Sequence, residues 1–185
     1  MMVQSRNIIR VVLATAFLLP LPLLAMQITD EVVWDLADFA VAGVLLVGTG
    51  LMYELAASQT NKTAYPVAVG VAVATAFILV WMNLAVGLIG NEDNPANLMY
   101  IGVLAVGLIG TAIARLEPRG MARALFATAL AQASVPVIAM IIWKPPITSG
   151  VMRVLGVNAF FVALWVGSAL LFLRASARLE GEPTA

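Results

Sequence analysis

The chain is 185 residues long, 62% hydrophobic and 11% charged, with ten basic and ten acidic residues. That excludes an ordinary soluble domain, where about half the residues are apolar and about a quarter charged, and zero net charge gives no electrostatic case for nucleic acid. Cysteine and histidine are both absent, which removes disulfides, thiolate chemistry, His- or Cys-ligated metals and ordinary haem ligation, so no metal or cofactor is expected.

The charges cluster in short stretches separated by continuous apolar runs of about 18 to 25 residues, the length that crosses a hydrocarbon core of about 30 Å. Continuous runs, as opposed to alternating ones, predict helices and not a barrel. The first run is 8–26. Arg6 before it and Arg10 near its start also fit a secretory signal peptide, but no small-x-small cleavage site follows, and a retained helix kinked at Pro20 and Pro22 is expected. Further helices are expected over 36–56, 64–90, 95–114, 120–143 and 154–173. The connections are short and leave no room for a separate soluble domain, so each helix is expected to run antiparallel to the next. The fold class is therefore all-α: one domain, 1–185, a bundle of six transmembrane helices.

Orientation follows from counting basic residues. With the N-terminus inside, the cytoplasmic segments hold Arg6, Arg10, Lys62, Arg115, Arg119, Arg123, Arg174 and Arg178, and the outer segments only Lys144 and Arg153. This bias predicts both termini in the cytoplasm. Trp34, Tyr100 and Trp143 then fall at the outer interface, and Tyr53 and Tyr65 at the inner one. Eight arginines against two lysines, with heavy use of Ala, Val and Gly, point to a GC-rich bacterial genome, and hence to a bacterial inner membrane. The stretch Leu-Ala-Val-Gly-Leu-Ile-Gly occurs at 84–90 and again at 104–110. The copies fall at different depths of oppositely directed helices and read as low-complexity membrane sequence, not as transporter repeats.

The most polar segment between helices is Gly90-Asn91-Glu92-Asp93-Asn94-Pro95-Ala96-Asn97. Asn94 is a favoured N-cap and Pro95 a favoured first helical residue, with Glu92 and Asp93 near the positive end of the following helix dipole. Contact with a partner, or binding of a hard cation by Glu92, Asp93 and Asn94, are the alternatives; the segment lacks EF-hand spacing. The stretch from Gly90 to Tyr100, continued through Arg115–Arg119 and the Ala-rich fifth helix, resembles a group of small bacterial multi-pass membrane proteins of no assigned activity. The resemblance covers about the middle third of the chain. It implies the membrane class and a bacterial source, and no substrate or catalytic residue.

Asp38 and Glu54 bracket the second helix about 24 Å apart, at about 1.5 Å per residue, and read as interfacial acids. Asn83, Gln132 and Asn158 are the candidate intramembrane polar contacts, suited to hydrogen bonds between helices or, with Thr75, Thr128 and Ser134, to lining a solute path. Catalytic patterns are absent, and no enzyme is expected. Three functions remain in order: an accessory or assembly subunit of a membrane complex; a small homo-oligomeric transporter or channel; and a lipid-modifying enzyme using Glu92, Asp93 or Glu54. The expected partners are the lipid bilayer and another membrane protein or a second copy.

Overall fold

The structure, a computed structural model, describes residues 5–28, 33–57, 64–91, 93–144, 146 and 148–180. All regular structure among them is helical: α1 (Ser5–Leu18), α2 (Pro20–Ile28), α3 (Leu36–Ala57), α4 (Ala64–Ala85), a 3-10 turn (Pro95–Leu98), α5 (Met99–Ala114), α6 (Pro118–Trp143) and α7 (Ser149–Glu180). Six stretches are helical, long and apolar enough to cross a membrane: Asn7–Ile28, Leu36–Ala56, Ala64–Ala85, Pro95–Ala114, Pro118–Trp143 and Ser149–Ala177. The architecture is that of a multi-pass membrane protein.

Two compact units divide the chain, 1–58 and 59–185. In the first, α1 packs on α3. Gly50 allows the close approach: a Cβ there would lie 2.7 Å from Val11 Cγ1. Pro20 and Pro22 remove the N–H groups that would bond the carbonyls four residues back, and the helix is interrupted at Leu19 between α1 and α2, the Leu19 N–H still bonding Thr15 O at 2.9 Å. The start of α3 is closed by a reciprocal pair. Asp38 N–H donates to Asp35 Oδ1 at 3.0 Å, and Asp35 N–H donates to Asp38 Oδ2 at 2.9 Å. Trp34 meets Phe39 edge-on at 5.1 Å between ring centroids. This is a capping box with its hydrophobic staple.

In the second unit, α7 packs on both α6 and α4, and α5 packs on α6. The buried face of α6 runs Met121, Leu125, Thr128, Gln132, Val135 and Ala139, at spacings of three and four residues that keep one stripe inward. Small residues set the α5–α6 distance: a Cβ on Gly110 would lie 2.7 Å from Ala124 Cβ, and one on Gly107 would lie 3.3 Å from Thr128 Oγ1. Tyr65 near the start of α4 stacks edge-on against Phe172 of α7 at 5.1 Å, and Ser168 Oγ donates to Ala68 O at 2.7 Å.

Two helices differ from expectation. The third expected helix, 64–90, ends at Ala85 as α4; Gly87 and Gly90 then take positive φ, 65° and 74°, which favours glycine. The last helix begins at Ser149 and runs to Glu180, longer than the apolar run 154–173, because its polar ends continue the helix beyond the hydrophobic stretch.

Candidate functional site

Three helices of the second unit contribute polar side chains to one buried cluster. Tyr100 of α5, Gln132 of α6 and Asn158 of α7 are each at most 2% exposed. Gln132 Nε2 donates to Asn158 Oδ1 at 2.8 Å, and Tyr100 Oη–H donates to the same oxygen at 3.1 Å. Asn158 Nδ2 donates to Tyr100 Oη at 3.0 Å and to the Val154 carbonyl, one turn back, at 2.9 Å. The sequence pairs Gln132 with Asn158 only by type, and the structure brings them together.

Tyr100 stands apart from the interfacial belt expected for it. It is 1% exposed, its ring inside and its hydroxyl spent on Asn158, since a buried phenol needs a hydrogen-bond partner. Tyr65 is likewise internal, 1% exposed, its hydroxyl donating to Leu116 O at 2.6 Å. Trp143, 51% exposed, keeps the exposure expected of a belt residue.

Asn83 does not join the cluster. Because α4 ends at Ala85, Asn83 lies in its last turn, not two turns inside a helix reaching Gly90, and its Nδ2 donates to Asn97 O at 3.2 Å. Asn97 organises this end of the unit. Its Oδ1 accepts from the N–H groups of Leu88 and Ile89 at 3.1 and 2.9 Å, and its Nδ2 donates to the carbonyls of Ile89 and Asn91 at 3.3 and 2.7 Å. One side chain thus satisfies the backbone groups that the end of α4 sets free. Asn94 takes the cap expected of it: extended, with Oδ1 accepting from Ala96 N–H at 2.9 Å and Pro95 first in the 3-10 turn. Gly90 beneath it takes φ 74°, a conformation that favours glycine.

Asp93 is exposed, and Glu92 lies outside the described residues. Among the described residues no group of three or more potential ligands that could hold a metal comes together. Asp38 caps α3 as above, and Glu54 is half-buried in the last turns of α3. Thr75, Thr128 and Ser134 each donate back to a carbonyl of their own helix, those of Val71, Ala124 and Ala131, at 2.6, 2.9 and 2.7 Å.

Among the described residues, three buried side-chain atoms have no hydrogen-bond partner: Asn83 Oδ1, Gln132 Oε1 and Trp165 Nε1. At Gln132 the backbone adds to this, because Pro136 has no N–H for the Gln132 carbonyl. Pro136 also lines a cleft of about 620 Å³ between the ends of α4, α6 and α7, walled by residues such as Met82, Ala139, Trp143 and Val154, with Arg153 its one charged residue. Its volume suits a small apolar molecule.

Comparison of the chain with protein-family models, with curated proteins and with solved structures finds no match.

Proposed function

We propose that this protein is a non-enzymatic accessory or assembly subunit of a membrane complex, held in a bacterial inner membrane by six helices in antiparallel succession with both termini in the cytoplasm. One observation carries the reading. Among the described residues, most polar side chains within the spans bond one another or the protein's own backbone, and Tyr100, Gln132 and Asn158 close into one cluster that leaves only Gln132 Oε1 without a partner. A route for a polar solute needs polar groups turned to a lumen, and a catalyst needs an acid, base or nucleophile facing a substrate. Outward, the spans present apolar side chains such as Ile101, Ile109 and Ile113 of α5, each at least 60% exposed, beside Gly102, above which a Cβ would meet nothing within 4 Å. Small residues on such a face permit close packing of a helix from another protein.

The test is purification from the native membrane under mild conditions, with mass spectrometry of what accompanies the chain and in what ratio. A fixed protein partner at constant stoichiometry is expected. A self-contained homo-oligomer would overturn the subunit reading.

The α6–α7 cleft favours a second reading, a small homo-oligomeric transporter for an apolar solute, which enters beside Trp143 and stops above Pro136. Under that reading, filling the cleft with Ala139→Phe abolishes flux and leaves any protein partner in place. A lipid-modifying enzyme stands third: Asp93 is exposed and Glu54 half-buried, and neither of these two described acids lines this cleft.

A further inference from the structure

We propose that the cleft beneath the α5–α6 turn binds the phosphate headgroup of an anionic lipid. The cleft has a volume of about 630 Å³ and is lined by Arg115, Glu117, Arg119 and Arg123 above, and by Gly110, Ile113 and Ala124 below. Three arginines against one glutamate leave it positive. Guanidinium groups present paired N–H donors that match phosphate oxygens, so the charge and its chemistry both select a phosphate.

The turn that carries Arg115 and Glu117 is held in place. Arg115 and Leu116 both take the left-handed conformation, φ 48° and 63°, which non-glycine residues adopt only where the surroundings enforce it. The Leu116 carbonyl accepts from the Tyr65 hydroxyl at 2.6 Å, and the Glu117 N–H bonds the Ala114 carbonyl at 2.9 Å. Arg119 and Arg123 are four residues apart on α6 and so share a face. Below them α5 and α6 come close because Gly110 and Gly120 lack side chains: a Cβ on either would fall within 2.8 Å of Ala124 or Ala114. The cleft is thus a groove with a charged rim and a floor of small residues.

The depth of the groove decides for a lipid over a free phosphate. Gly110, Ile113 and Ala124 belong to the spans Pro95–Ala114 and Pro118–Trp143, and Ile113 is 76% exposed. A free phosphate would use the rim alone. A lipid sets its headgroup on the arginines and lays an acyl chain along Ile113.

The experiment is native mass spectrometry of the full chain in mild detergent, titrated with phosphatidylglycerol and with phosphatidylcholine of the same acyl chains. The wild type is expected to hold one phosphatidylglycerol at least tenfold more tightly than phosphatidylcholine. Each arginine near an anionic headgroup is worth roughly fivefold in affinity, so R115Q/R119Q/R123Q brings the two lipids level. Arg174→Gln, an exposed position of α7 outside the cleft, leaves the preference unchanged. Glu117→Gln removes the one acid and strengthens phosphatidylglycerol binding roughly two- to fivefold, a gain that misfolding cannot imitate; the Glu117 side chain makes no cap hydrogen bond that this change would break. Equal binding of the two lipids by the wild type, an effect of Arg174→Gln as large as that of the triple variant, or no gain from Glu117→Gln would each overturn the site. Displacement of the lipid by millimolar inorganic phosphate would overturn the lipid as its ligand.

Discussion

Asn97 makes four hydrogen bonds with one amide, and three of the backbone groups it serves belong to Leu88 and Ile89. Removing it leaves the buried Leu88 N–H and the part-buried groups of Ile89 without their partner, and a buried polar group left unsatisfied costs about 1–3 kcal/mol. Asn97→Ala is therefore expected to destabilise the protein by about 3 kcal/mol, read as a shift in reversible unfolding in mixed micelles. Asn94→Ala loses a single cap and is expected to cost about 1 kcal/mol. Equal costs for the two would contradict the organising part assigned to Asn97. Within the buried cluster the ranking also follows from satisfaction. Gln132→Leu removes one hydrogen bond and one unpartnered oxygen together, so it is expected to change stability by less than about 1 kcal/mol, in line with the small worth of interhelical hydrogen bonds in membranes. Asn158→Leu strips Tyr100 of both its contacts and is expected to cost more than Gln132→Leu. A larger loss at Gln132 would mean that its Oε1 is engaged in the membrane.

At the scale of elements, close helix approach can be tested by adding one methyl group. Gly110→Ala places a Cβ 2.7 Å from Ala124 Cβ and 3.2 Å from its Cα. Neither atom can swing aside, and overpacking of this kind costs about 1–3 kcal/mol. Gly102→Ala meets nothing within 4 Å and is expected to be neutral or slightly stabilising in the same unfolding assay, since alanine is the better helix former. Small residues were legible in the sequence as packing positions; which of them face a neighbour was not, because hydropathy on all sides of a membrane helix is alike. The six apolar stretches, the proline break near Leu19 and the Asn94–Pro95 start were all legible, since each depends on local composition or local stereochemistry. The end of α4 was not. Gly87 and Gly90, which take positive φ there, are the local signal, but they stand among residues as apolar as the helix before them, and the Asn97 side chain that bonds the released Leu88 and Ile89 N–H groups lies eight or more residues further on. The capping box at Asp35 and Asp38 was written in the sequence, three residues apart with Trp34 and Phe39 flanking, but with Asp where Glu or Gln is usual. That Tyr100 faces inward was not legible for a different reason: distance from a helix end says how deep a residue lies, and nothing about which way it faces.

At the scale of the whole molecule, the orientation in the bilayer rests on where eight of ten basic residues fall, an argument that the helices themselves do not carry. The chain has no cysteine, so a single introduced thiol is the only one a maleimide can find. Three exposed turn positions suffice: Asp93 before α5, Glu117 between α5 and α6, and Lys144 between α6 and α7. If α5 and α6 each cross the membrane, Asp93→Cys and Lys144→Cys share one side and Glu117→Cys lies on the other. If the arginine-rich turns are cytoplasmic, a membrane-impermeant maleimide added to intact spheroplasts labels Asp93→Cys and Lys144→Cys, and Glu117→Cys reacts only after lysis. Labelling of Glu117→Cys alone in intact spheroplasts would invert the orientation and leave the spans standing. Labelling of all three would mean that α5 and α6 do not span. The orientation also decides which leaflet the α5–α6 cleft meets. Arginines facing the cytoplasm stand against the leaflet whose anionic lipids give it a negative surface potential, and the same labelling result therefore states where a phosphatidylglycerol bound there would come from.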